Sequence, residues 1–145
     1  MFGCLALTTA ALFTGAAFYI NIAEHPARAI LSDSAFLTQW KPSYNRGLLM
    51  QSSLAIIGFL LGAVAWWIEG RLLFLVGALL MIANWPWTLF GILPVNRVLM
   101  ATEPAVAGPE TRKLLAKWNG LHAVRTALGI AATVCFLAAL TANPN

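Results

Sequence analysis

The stretch LAIIGFLLGAVAWW, Leu54 to Trp67, and its neighbour LLFLVGALLMIA, Leu72 to Ala83, are separated by Ile68 and the three residues Glu69-Gly70-Arg71. Both runs are apolar on every side. They lack the period-two alternation of a barrel strand, and uncharged residues extend each to a length that suits a membrane-crossing helix. In hydrocarbon the backbone must satisfy its own N–H and C=O groups, which leaves helices or closed barrels as the only spanning structures. The short turn predicts that these two helices are antiparallel neighbours.

The rest of the chain repeats this pattern. Its fourteen charged residues leave four uncharged windows, 1–23, 47–68, 72–96 and 126–145. Each is close to the roughly 20 residues a helix needs to cross a bilayer. Over all 145 residues, 60% are hydrophobic and 10% charged, against roughly 45–50% and about 25% in a soluble domain. That balance excludes an ordinary soluble domain. With 11 Gly, 7 Pro and 2 Cys, it also excludes disordered, collagen-like and disulfide-scaffold chains. A cleaved signal peptide needs a basic region before its apolar run, and none of the first 23 residues is basic. The expectation is therefore all-α: one integral membrane four-helix bundle over residues 1–145. Its spans lie at about 3–24, 47–68, 72–94 and 121–141, with short interfacial helices in loops 1 and 3.

Loop 1 carries Arg28, Lys41 and Arg46, and loop 3 carries Arg97, Arg112, Lys113, Lys117 and Arg125; loop 2 has only Arg71. The positive-inside rule predicts loops 1 and 3 in the cytoplasm and both chain ends outside, as in a bacterial inner membrane. A net charge of +4 spread around apolar spans forms no stripe along phosphates, so no nucleic-acid partner is expected. Lipid is the expected surrounding. Trp40, Trp66, Trp67 and Trp118 fall where an interfacial aromatic belt sits. Gly58 and Gly62 form a small-xxx-small pair that admits a close backbone, either in this chain or in a second copy or larger membrane complex. Pro86, within Asn84-Trp85-Pro86-Trp87-Thr88, is expected to free a carbonyl and bend the third helix near an Asn.

Two polar stripes stand out on these apolar helices. Asn21, Glu24, His25 and Arg28 fall at i, i+3, i+4 and i+7, and Asn119, His122, Arg125 and Thr126 at i, i+3, i+6 and i+7. Each set shares one helix face. Interfacial capping and snorkelling account for either stripe taken alone. Topology brings both to one leaflet together with Asn96 and Arg97, where polar residues inside a membrane usually have a function. No phosphate-binding glycine loop, serine nucleophile motif or carboxylate pair is present.

Several segments then become familiar in order and spacing: Glu24-His25-Pro26-Ala27-Arg28, Trp40 with Tyr44-Asn45-Arg46-Gly47, Pro86-Trp87-Thr88-Leu89, Pro94-Val95-Asn96, and Trp118-Asn119-Gly120-Leu121-His122-Ala123-Val124-Arg125-Thr126. Together they resemble the anthrone oxygenase-like family of small four-helix membrane proteins, with Pro-Trp-Thr in place of Pro-Tyr-Thr and Pro-Val-Asn in place of Pro-Thr-Asn. The resemblance implies oxidation of an anthrone to an anthraquinone by O2 without a recognised flavin or haem. An anthrone methylene is acidic, and its enolate can pass an electron to oxygen unaided. Such chemistry calls for a base near its ordinary pKa of about 6.5, which points to His25 or His122. Glu24 is expected to orient the imidazole, and Arg125, Asn96 and Arg28 to stabilise the enolate. Trp85, Trp87 and Trp118 are expected to stack on a flat hydrophobic substrate, with Asn84 and Asn119 completing its binding site.

Two other readings use the same chain. In one, His25 and His122, with Glu24 as third ligand, hold a transition metal or haem. In the other, the protein is a non-catalytic accessory subunit of a respiratory or photosynthetic complex, docked through Gly58 and Gly62, with lipid or quinone in the polar pocket. Cys4 and Cys135 are expected as buried single thiols near the outer ends of helices 1 and 4.

Overall fold

The computed structural model describes residues 1–142, so the last three residues of the window 126–145 lie outside the described part. Four helices dominate it: α1 (Phe2–Ala29), α2 (Asp33–Glu69), α3 (Leu72–Ala101) and α4 (Pro109–Thr141), each long and apolar enough to cross a membrane. No strand occurs among the described residues. α1 and α3 each pack against both α2 and α4, which puts α2 and α4 on one diagonal of the bundle and α1 and α3 on the other.

At about 1.5 Å per residue, the 37 residues of α2 reach about 55 Å, well beyond a hydrocarbon core of about 30 Å. The helical segments expected in loops 1 and 3 are present in this excess length. Asp33 onward is continuous with the second span and Pro109 onward with the fourth. A separate 3₁₀ turn covers Pro104–Val106. Between α2 and α3, Gly70 adopts φ +69° and donates its N–H to the Trp66 carbonyl at 2.8 Å. This left-handed position favours glycine because it has no Cβ to clash.

The core near this turn is built from small residues and a few rings. Ala6, Ala10, Ala17, Ala55, Ala65, Ala132 and Ala139 let the helices approach, while Phe13, Phe74, Met81 and Phe136 fill the remaining space. A Cβ on Gly62 or Gly77 would lie 2.7 or 2.5 Å from the Phe136 ring, and one on Gly58 would lie 2.8 Å from Met81. The Gly58 and Gly62 stripe is thus filled from within the chain by α3 and α4. It is not the free docking face that the accessory-subunit reading used.

Basic residues close the opposite end. Lys41 Nζ donates to the carbonyls of Met100 at 2.9 Å and Thr102 at 2.6 Å, at the end of α3. Arg112 donates to Ala29 at 2.8 Å and Leu31 at 2.6 Å, past the end of α1, and pairs with Asp33. The carbonyls at a helix C-terminus lack intrahelical partners and carry partial negative charge, so cations are favourable there. These contacts account for part of the basic charge counted in loops 1 and 3.

Two helices contain a widened, π-type turn, Ile20–Glu24 in α1 and Thr88–Ile92 in α3, closed by His25 N–H to Ile20 O and Leu93 N–H to Thr88 O. A proline two residues beyond each turn explains it. Pro26 and Pro94 clash with the carbonyls four residues earlier, those of Ile22 and Phe90, and a wider turn moves those carbonyls aside. Pro86 lies inside the α-helical stretch Leu72–Trp87, and the widened turn of this helix begins just after it, at Thr88.

The thiols also differ from expectation. Both cysteines are free, but Cys4 is exposed and Cys135 only half-buried.

Candidate functional site

The hydrogen-bonding centre between α1 and α4 is Asn21. Its Nδ2 donates to the Asn119 side-chain oxygen at 2.7 Å and to the Asn119 carbonyl at 2.9 Å. Its Oδ1 lies 3.0 Å from His122 Nδ1 and accepts from Thr126 Oγ1 at 2.7 Å. Three of the four residues of the α4 stripe, Asn119, His122 and Thr126, are therefore gathered on one amide, while Arg125 lines the cavities described below. His122 is 2% exposed, and its ring stacks on Trp118 with centroids 5.0 Å apart.

The α1 stripe is divided. One extra residue in a helical turn rotates the succeeding side chains by about 100°, and the widened turn Ile20–Glu24 contains both Asn21 and Glu24. Asn21 faces α4, whereas Glu24 and Arg28 pair with each other on the α2 side, where Ser43 Oγ donates to Glu24 at 2.9 Å. They line an open groove of about 540 Å³ between α1 and α2, together with Arg46, Ala16 and Met50. Glu24 therefore serves Arg28 and Ser43, with no hydrogen bond to an imidazole. His25 rests among aromatic rings, 5.3 Å from Phe36 and 6.5 Å from Trp118. Both histidine rings stack toward Trp118, and His122 lines the smaller of the two cavities described next.

Two cavities lie among α2, α3 and α4, the smaller also reaching Ile20 of α1. The larger, about 200 Å³, has Ser52 and Ala55 on α2, Asn84, Trp85, Leu89 and Leu93 on α3, and Arg125 on α4. The smaller, about 20 Å³, is bounded by Gln51, Asn96, Trp118 and His122. Tyr44, Leu48, Thr88 and Arg125 form walls of both. Asn96 Nδ2 donates to Tyr44 Oη at 2.9 Å, which leaves the Tyr44 hydroxyl proton free to donate. Trp87 Nε1 donates to the Leu121 carbonyl at 3.0 Å and so ties α3 to α4. Trp85, 39% exposed, is at the lipid-facing rim, and Arg97 points outward.

The walls are short of hydrogen-bond partners. Both amide atoms of Gln51, Asn84 Oδ1, Asn96 Oδ1 and Arg125 Nε are buried without one, as are the indole nitrogens of Trp40 and Trp118. An unsatisfied buried polar group costs about 1–3 kcal/mol, so these atoms call for partners from water or a bound molecule in the cavities. Arg125 is the charged member of this group. It is 6% exposed, none of the ion pairs among the described residues includes it, and the Phe13 ring stands 5.6 Å from its Cζ. A buried cation without a carboxylate is costly unless something else supplies negative charge.

Gln51 and Tyr44 belong to the site although they lie outside both polar stripes, and Asn21 reaches it through its bond to His122. A signal for the first two was available, since Tyr44, Leu48 and Gln51 fall at i, i+4 and i+7 on one face of α2. No three His, Cys, Asp or Glu side chains are grouped to hold a metal ion among the described residues. Glu24, the third ligand of that reading, is occupied by Arg28 and Ser43 on the α2 side. The donor set for the metal reading is therefore not assembled.

Fold and site together define a four-helix protein suited to a bilayer, with a largely apolar cavity into which Arg125 and a few amides project. A family model described as Anthrone oxygenase matches residues 40–135, and the chain belongs to that family. The matched stretch contains Tyr44, Gln51, Asn84, Asn96, His122 and Arg125, and begins after Asn21. No curated protein and no solved structure matches the chain.

Proposed function

We propose that the protein is an O2-dependent oxygenase that oxidises a hydrophobic aromatic substrate of the anthrone class in the cavity between α2, α3 and α4. The observation that carries this reading is Arg125, a buried cation without a carboxylate, facing the same cavity as His122. A site of this kind favours negative charge that develops during reaction over charge already present in the resting protein.

The substrate enters from the bilayer past Trp85, Leu89 and Leu93, and its rings occupy the larger cavity. The methylene edge meets the wall that the two cavities share at Tyr44, Thr88 and Arg125; His122, from the smaller cavity, removes one proton, the electron pair spreads into the rings, and Arg125 holds the resulting enolate oxygen, with the Gln51 amide beside the O2. The smaller cavity has room for about one water-sized molecule and so for O2. One electron passes from the enolate to O2, and the substrate radical and superoxide combine into a carbon–oxygen bond. His122 returns its proton to the peroxide. Loss of the second methylene hydrogen together with hydroxide then gives a carbonyl and water. The balance is one CH2 plus O2 to one C=O plus H2O, with no further reductant. Asn84 Oδ1 and Asn96 Oδ1, both lacking donors, suit substrate hydroxyls.

The purified protein should accelerate O2 uptake by an anthrone above its spontaneous rate. Acid–base and electrostatic groups typically contribute 10²-fold or more, so His122→Gln and Arg125→Met should each lower turnover by ~10²-fold. Unchanged rates in both variants would overturn the reading.

A further inference from the structure

We infer that Asn21 is a positioning residue that holds the His122 proton on Nδ1, so that Nε2 is the nitrogen available to the cavity. The inference rests on the proposed role of His122 as the base.

The orientation of the Asn21 amide is fixed by its partners. A backbone carbonyl only accepts hydrogen bonds, so the atom 2.9 Å from the Asn119 carbonyl must be the NH2 group. The same group reaches the Asn119 side-chain oxygen at 2.7 Å. The atom facing His122 Nδ1 at 3.0 Å is then the amide oxygen, which also accepts from Thr126. An oxygen with no proton to give requires one from its neighbour, so Nδ1 is the N–H. A neutral imidazole has a single ring proton, and the hydrogen bond at one nitrogen decides the state of the other. Nε2 is left with a bare lone pair, on a ring that lines the cavity shared with Arg125 and Gln51. The widened turn Ile20–Glu24 is what places Asn21 here, since it separates Asn21 from the face that carries Glu24 and Arg28.

Nitrogen-15 resonances of histidine-labelled protein test this directly, with the His122 signal assigned by its loss in His122→Gln. The neutral wild-type ring should show a protonated Nδ1 and an unprotonated Nε2. Asn21→Leu, which keeps the side-chain size and removes the acceptor, should turn this into a mixture of both tautomers. Loss of one hydrogen bond corresponds to about a tenfold effect, and it should appear in kcat with KM nearly unchanged. A proton on Nε2 of the neutral wild-type ring overturns the inference, and that measurement does not depend on whether Asn21→Leu folds. An Asn21→Leu protein that folds and keeps the wild-type tautomer overturns it as well. If the tautomer is as expected but His122→Gln retains full turnover, the catalytic reading fails while the placement of the proton by Asn21 stands.

Discussion

The half of the bundle beside the Glu69-Gly70-Arg71 turn and the half beside the Ile30–Ser32 and Thr102–Gly108 connections fill the space between helices in different ways. In the first, alanines and glycines bring backbones together and Phe13, Phe74 and Phe136 occupy what is left. Its inward polar side chains are satisfied, as in the 3.0 Å bond between Thr14 and Thr133. Beyond it, Gln51, Asn84, Asn96 and Arg125 line cavities and leave hydrogen-bonding atoms without partners. The first arrangement lowers the free energy of the empty protein. The second leaves atoms that only water or a matching ligand in the cavities can satisfy. Packing on one side therefore holds the unsatisfied groups together on the other.

Phe136→Ala should disturb this division most severely. Phe136 is fully buried and meets both Gly62 and Gly77, so truncation opens a cavity that two glycine backbones cannot collapse to fill. A cost of ~3–5 kcal/mol is expected. Denaturant titration in micelles should read it, and little change would mean that the ring is not what fills this half. Because α3 and α4 supply cavity walls, turnover should fall with stability rather than independently of it.

The four spans and the α4 stripe are legible in the sequence because both depend on local spacing. Charges delimit the windows, and Asn119, His122 and Thr126 lie on a regular helix, so their shared face survives folding. The α1 stripe is not legible in the same way. Asn21 and Glu24 share a face only if the helix between them is regular, and Pro26 makes it irregular. Gln51 is overlooked for another reason: an uncharged window conceals an amide, whose importance shows only when the burial of both its polar atoms is known. Gln51→Leu probes the cavity half in turn. Exchanging an unsatisfied amide for an apolar group should stabilise the empty protein by ~1–3 kcal/mol while weakening substrate turnover. Destabilisation by the same change would mean that Gln51 is already satisfied in the resting protein.

Glu24→Gln should have the weakest effect, and it concerns the division of the α1 stripe. Glu24 and Arg28 form a pair facing the groove between α1 and α2, away from the walls shared by His122 and Arg125. The Glu24 side chain is 24% exposed, and partly exposed ion pairs contribute about 0–1 kcal/mol. Turnover should therefore stay within about twofold of wild type, far below the tenfold step that one lost hydrogen bond at the reacting base produces. A large loss of turnover with unchanged stability would return Glu24 to the catalytic side and place the working histidine at position 25. The widened turn would then separate two parts of one site, and His25, held between Phe36 and Trp118, would have to leave its aromatic contacts to reach substrate.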